Sequence, residues 1–494
     1  MLSHARQMVR PVDIMPVDTV PVDIMPAARR SNGGETAGWL LLVALGIAVL
    51  NQGGFYAGAQ WYLGCVLATA AVTAALSGRG SQRPAGWSGW LSRSDWSVPA
   101  VSGLALGCWG IVDGWLHGSV GSGVRLALLV VALGSVIGIC QRLSTSARAQ
   151  LCWGIVLLGC LTGMLGWYGV AAHSTAFAPS GQGLWRAMGT LGYPNATAVL
   201  LAVLVAHTVT WQAHRAPAMP RWPAAAASTA LLIGLGATLS RGGVLAAVAG
   251  LIGLAALLGI RRVLAVLWAP VLGATLALAG LLPGLASTAR PHLVTAAVLL
   301  VAGIVSGTWS ATVLELARSR IPYPLLVNLG TLSVACGAVL AVLGTGDRQV
   351  LHELRQARLT VSSTDRVAAW HAVTDVIARH PITGAGPGLR TLSWSDPHGV
   401  LMVFAYAHNE YLQVLAELGV IGLVLMMVCL AGVLRLLWRC RPAAAGGEAA
   451  ATAIAALVMV AVSALFDFTG HFPAIVLTAA ALVGCAVPGS PARR

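Results

Sequence analysis

The chain has 494 residues, 57% of them hydrophobic and only 9% charged, with a formal net charge of +14. Apolar runs of about 18 to 24 residues recur along nearly its whole length, each enough to cross the hydrocarbon core as a helix. The runs lack the alternation of barrel strands, and backbone groups in lipid need internal partners, so a β-barrel is excluded and the fold reads as all-α.

In chain order, residues 1–36 are polar and contain the near-repeat PVDIMPVDTVPVDIMP at 11–26. The stretch is too long and too proline-broken for the charged region of a signal peptide and reads as a disordered cytoplasmic tail. Met8, Met15 and Met25 leave the start codon open. Residues 37–345 form the first block of transmembrane helices, with spans at 37–53, 58–77, 97–116, 124–140, 150–171, 193–212, 223–239, 242–260, 263–283, 292–315 and 323–345. Residues 346–411 form one long external loop with an amphipathic helix. Residues 412–487 hold further spans at 412–434, 449–468 and 471–487, and 488–494 a short cytoplasmic tail. The expectation is a polytopic transmembrane helical bundle of about 12 to 14 spans.

The charges give a direction. All 30 basic residues are arginine, which together with the heavy use of Ala and Gly suggests a high-GC bacterial genome. With the N-terminus cytoplasmic, every inside loop is basic, among them those carrying Arg142 and Arg148, Arg261 and Arg262, and Arg435, Arg439 and Arg441. The short outside loops keep only Arg125, Arg186, Arg241 and Arg290. This asymmetry is the positive-inside pattern of a bacterial cytoplasmic-membrane protein with both termini in the cytoplasm. Topology therefore explains most of the net charge, and no nucleic-acid partner is implied. The nine cysteines show neither metal-ligand spacing nor a disulfide framework.

An arginine on the outer face is unexplained by topology. Arg241 stands in TLSRGGVLAAVAG, residues 238–250, where two spans join through almost no loop. It reads either as a turn residue snorkelling to headgroups or as a phosphate clamp, since guanidinium is a planar, permanently charged fork and a helix starts beside it. Arg186 stands in GLWRAMGTLGYPNATAVL, either an interfacial anchor or a substrate ligand, with Asn195 as a helix N-cap or a sugar-binding amide. In the external loop, SSTDRVAAWHAVTDVIARHPITGAGPG reads as a helix opened by Ser362 with Asp365 and stopped at His380-Pro381. Arg366, Trp370, Val373 and Ile377 share one stripe, which predicts a helix lying on the membrane surface with Arg366 leading.

The last outer motif is AYAHNEYLQVLAELGVIG, residues 405–422. A helix running through it would place His408 and Tyr411 on one face above Leu412, Leu415 and Ala416, with Glu417 on the opposite side. His408 is either an interfacial hydrogen-bonding residue or a base able to take a proton at ambient pH. Asp467 and His471, in FDFTGHFPA, read as interfacial helix-end residues and are left outside the site.

RAMGTLGYPNA, TLSRGG, DRVAAWHAV with HPITGAGPG, and AHNEYLQVLAELGVIGLVL occur in the order and spacing of the bacterial O-antigen ligase and polysaccharide polymerase superfamily, which the chain resembles over residues 184–434. The resemblance implies a GT-C-like membrane glycosyltransferase. It would move a glycan from undecaprenyl diphosphate to an acceptor hydroxyl on the outer face of the cytoplasmic membrane, without a metal or other cofactor. In that family the arginine of the SRG turn and one opening the loop helix contact the diphosphate, and the HNxYL histidine activates or orients the acceptor. Those roles would fall on Arg241, Arg366 and His408, with Arg186, Asn195, Asn409 and Tyr411 as substrate-binding candidates. The acceptor is open: a lipid, protein or other terminus for a ligase, another lipid-linked repeat unit for a polymerase. A non-enzymatic lipid or glycan transporter is the rival outside the enzyme class. It is disfavoured because ionisable residues gather near span ends rather than at the midplane.

Overall fold

The computed structural model describes residues 32–77, 94–181, 183–214, 220–316, 364–389, 391–395, 401–441 and 447–487. The fold is an all-α membrane bundle. Its helices are α1 (Asn32–Leu50), α2 (Ala57–Ser77), α3 (Ser94–Leu116), α4 (Val120–Arg142), α5 (Thr145–Ala172), α6 (Pro194–His214) and α7 (Trp222–Ala237). They continue with α8 (Arg241–Leu258), α9 (Ile260–Ala279), α10 (Leu293–Leu316), α11 (Thr364–Arg379), α12 (Glu410–Cys440), α13 (Gly447–Ala464) and α14 (Pro473–Ala486). Among the described residues, nine helices are long and apolar enough to cross a membrane, and α1, α7, α10 and α14 are shorter apolar helices. The expected span at 323–345 lies outside the described residues.

The organising element is α6. Its apolar window is 83% buried, and it packs against α5, α7, α8, α9, α13 and α14. A helix apolar on all sides has no lipid-facing stripe to direct it outward, and in TAVLLAVLVA the residues are small or branched, so neighbours close on every face. Its polar side chains bond internally: Gln212 Nε2 donates to Ser228 Oγ on α7 (2.9 Å), and Ser228 donates back to Thr208 Oγ1 (2.8 Å). The α5–α7 contact is closer still, for a Cβ added to Gly234 would lie 2.6 Å from the Gly163 Cα.

Two features set the site. The first is the α5–α6 connection, residues 173–193. Its short antiparallel pair β1 (Ser180–Gly181) and β2 (Leu184–Trp185) is stitched to the bundle by Trp185 N–H donating to the Leu285 carbonyl (3.0 Å) and Ala187 N–H to the Ala237 carbonyl at the end of α7 (2.9 Å).

The second is a break in α12. Gly419 has φ 64° and ψ −169°, a conformation essentially restricted to glycine. Residues 381–388 dock there: Val420 N–H donates to the Pro381 carbonyl (3.0 Å), Ala385 N–H to Ala416 (2.8 Å) and Gly386 N–H to Glu417 (3.0 Å). Trp109 on α3 donates its indole N–H to the Leu418 carbonyl (3.0 Å). The carbonyls freed by the break are thus bonded within protein, as irregular backbone at a membrane helix requires.

The helix α11 corrects an expectation. Its stripe does not face lipid: Val373 is fully buried in a small core with Leu392, Ala407 and Ala416, and Ile377 packs at the edge. A partner was supplied by the strands β3 (Leu392–Ser395) and β4 (Leu401–Phe404) and by the first turns of α12. The Ser362–Asp365 cap and the Arg366 side chain lie outside the described residues.

Candidate functional site

The site forms where the α5–α6, α7–α8 and α13–α14 connections meet the start of α12. Its centre is Asp467, in the turn after α13. Its side chain is only 4% exposed. Oδ2 accepts the Tyr193 hydroxyl (2.7 Å) and the Asn195 side-chain amide. Oδ1 faces His408 Nδ1 at 3.2 Å and accepts the Phe468 N–H at 2.9 Å. Burial alone would raise the carboxyl's pKa, but the hydrogen bond and charge of His408, with the bonds from Tyr193 and Asn195, hold it below the usual carboxylate range. An ionised carboxylate only accepts, so in the neutral ring Nδ1 of His408 is the nitrogen that carries the proton, which leaves the Nε2 lone pair for chemistry.

From Asn195 the network runs outward to a cation. Arg186 donates through Nη2 to Asn195 Oδ1 (3.1 Å) and through Nε to the Thr238 carbonyl (3.1 Å). Thr238 begins the TLSRGG turn. There Leu239 adopts φ 51°, Ser240 caps α8 by accepting the Gly243 N–H (3.1 Å), and Arg241 opens the helix with an exposed side chain. A Cβ on Gly242 would sit 3.6 Å from Phe466 Cβ, so the turn packs directly beside the residue before Asp467. The fork of Arg186 and the α8 N-terminus carrying Arg241 are therefore both tied to the Asp467–His408 pair.

The rest of the lining is aromatic. Phe468 stacks on Tyr406 (ring centroids 4.3 Å apart) and on Tyr193 (5.3 Å), and the His408 ring meets it edge-on at 5.2 Å. On its far side His471 faces Glu410, Nδ1 to Oε1 3.2 Å.

Three sequence expectations change here. His408 is not on the helix: it has φ 51°, and α12 begins at Glu410 with Asn409 as N-cap, its side chain accepting the Leu412 N–H (3.0 Å). Asn195 lies one residue inside α6, which Pro194 opens, so its amide bridges Arg186 to Asp467 instead of capping. Asp467, set aside as a helix-end residue, is the hub.

Asn409 and Tyr411 bond to α13, Asn409 Nδ2 to the Leu465 carbonyl (3.0 Å) and the Tyr411 hydroxyl to the Ala461 carbonyl (2.9 Å). These bonds fasten the start of α12 to α13. Glu417 stays apart from the imidazole, as expected, and is bonded by Gln413 and the Gly388 N–H. Among the described residues no group of three or more His, Cys, Asp or Glu is placed to hold a metal ion.

The site lies at one end of the bundle and the arginine-rich connections at the other. Asp467 precedes α14, whereas at that helix's far end Arg148 Nη1 donates to the Cys485 carbonyl (3.3 Å) and Nη2 to the Gln141 carbonyl (2.8 Å).

Residues 226–427 match the family model described as O-antigen ligase, a stretch that runs from α7 into α12 and contains Arg241, Arg366 and His408. No curated protein matches the chain. The apolar helices make this a multi-pass membrane protein, and residues 226–427 are similar to the O-antigen ligase family, whose members are ligase- or polymerase-type membrane enzymes. Arg186, Asn195 and Asp467 lie outside the matched residues.

Proposed function

We propose that this protein is a member of the O-antigen ligase superfamily and transfers a glycan from undecaprenyl diphosphate to an acceptor hydroxyl, on the outer face of a bacterial cytoplasmic membrane. The observation that carries the reading is the continuous hydrogen-bonded path Arg186–Asn195–Asp467–His408, beside the turn that presents Arg241.

The chemistry follows from what the path couples. Cleaving the sugar–phosphate bond leaves a lipid diphosphate whose negative charge rises in the transition state, and fixed cations placed there stabilise it without reorganising. At an effective dielectric near 20, one guanidinium about 4 Å from a phosphate oxygen contributes roughly 4 kcal/mol before desolvation. Arg241 is the clamp at the helix N-terminus, Arg366 a second from the loop helix, and Arg186 a support that holds the clamp's turn. On the other side, His408 takes the acceptor's proton at Nε2, while Asp467 fixes the tautomer and stabilises the imidazolium. Attack from the face opposite the diphosphate inverts the anomeric centre. The arginines supply the charge stabilisation that divalent cations provide elsewhere, so the transfer is metal-independent in this reading.

The test is transfer by the purified protein, in nanodiscs, of a labelled glycan from its undecaprenyl diphosphate carrier. A single addition to a foreign acceptor identifies a ligase. A ladder of repeat units identifies a polymerase. Movement of the intact lipid between leaflets with no broken glycosyl bond would replace the reading with transport.

A further inference from the structure

Gln413 lies one turn inside α12 and is 1% exposed. Its Oε1 accepts the Ala407 N–H at 2.8 Å, and its Nε2 donates to the Leu389 carbonyl at 3.1 Å and to Glu417 Oε1 at 2.6 Å. Its backbone N–H donates to the Asn409 carbonyl at 2.9 Å. One residue thus grips both neighbours of His408, Ala407 through its side chain and Asn409 through its backbone. The residue between them holds φ 51°, a left-handed conformation that an L side chain keeps only when its surroundings impose it. His408 precedes α12, so the helical ladder does not set its backbone.

We propose that Gln413 is a positioning residue for the transfer reaction. It clamps the Ala407–His408–Asn409 turn so that the imidazole meets Asp467, and it ties that turn to the segment docked at the α12 break through Leu389 and, via Glu417, through Gly388. The proposal rests on reading His408 as the base. An amide suits the place because it offers an acceptor to Ala407 and two donor hydrogens to Leu389 and Glu417. A carboxylate would satisfy Ala407 alone and would confront both the Leu389 oxygen and the Glu417 oxygen. Glu417 is bonded by the Gly388 N–H at 3.0 Å through its other oxygen, so a glutamine there could keep that bond and donate to a carboxylate at 413.

The experiment measures steady-state transfer by the full-length protein in nanodiscs, with the lipid-linked glycan as donor. Gln413→Leu and Gln413→Glu each lower kcat by about 100-fold, the scale of a reacting group displaced by about 1 Å, while the donor KM stays within about twofold. Adding Glu417→Gln to Gln413→Glu restores kcat to within about tenfold of wild type, which loss of packing would not do. Should Gln413→Leu fail to insert, the near-isosteric Gln413→Glu and its double variant decide the matter. Full kcat in Gln413→Glu, or a double variant no better than that single one, overturns the proposal. Wild-type protein that transfers nothing overturns instead the reading on which it rests.

Discussion

His408 Nδ1 and Asp467 Oδ1 stand 3.2 Å apart although 59 residues separate them in sequence. The carboxylate belongs to the turn between α13 and α14, and the imidazole to the last residues before α12. Their meeting turns an isolated histidine into an oriented one, because the ring nitrogen facing the carboxylate fixes which nitrogen is left for chemistry.

Asp467→Asn tests that orientation. It keeps the shape but removes the charge, and its amide can present a donor that favours the wrong tautomer of His408. Transfer kcat should fall at least about 100-fold with donor KM little changed, the pattern of a lost orienting carboxylate. Unchanged kcat would show that the pair is structural only.

His408→Ala and Arg241→Ala should each abolish transfer while membrane insertion and elution of the purified protein stay as in wild type. Arg241→Lys should recover little of it, since the ammonium lacks the planar fork that meets two phosphate oxygens at once. Labelled-glycan transfer by the three purified variants measures this, and full turnover in either alanine variant removes that residue from the mechanism.

The depressed pKa of Asp467 has a stability consequence of definite sign. A carboxyl whose folded pKa lies below its unfolded value, about 3.9, stabilises the protein above that pH and loses the contribution as pH falls through the folded value. The melting-temperature difference between wild type and Asp467→Asn should therefore be flat from neutral pH down to about pH 4 and shrink below it. A difference that already shrinks near pH 6 would assign the titration to another group.

Gly419→Ala should destabilise by more than about 2 kcal/mol, because a Cβ there combines a glycine-only backbone conformation with a collision at the Ile382 carbonyl. Thermal unfolding in detergent reads the effect. A melting temperature equal to wild type would mean that the break is dispensable.

The bundle was legible because lipid leaves the backbone no alternative to helix: the apolar runs that fall among the described residues coincide with apolar helices, and the class followed from composition alone. Arg186, Arg241 and His408 stood out in the sequence because each sits in a compact motif or breaks the charge pattern. Asp467 was not. Between two apolar spans, a buried hub and a helix-end residue look alike in sequence, and nothing local records a partner 59 residues away. One available signal was the density of Phe and His around it in FDFTGHFPA, too many rings for an ordinary short turn. The α11 stripe failed differently: periodicity reports that a face is apolar, and lipid and protein satisfy it equally, so Val373 found Leu392 and Ala416 in place of acyl chains.

The interruption at Gly419 separates the two duties of α12. Beyond it the helix is roughly 30 Å long, enough for one crossing, and before it the first turns are fastened to α13 and to the docked loop. A rod without that joint would swing its tip whenever the crossing portion leaned to match a thicker or thinner bilayer. Here the loop bonded across the break, to Val420 on one side and to Ala416 and Glu417 on the other, holds that tip to protein.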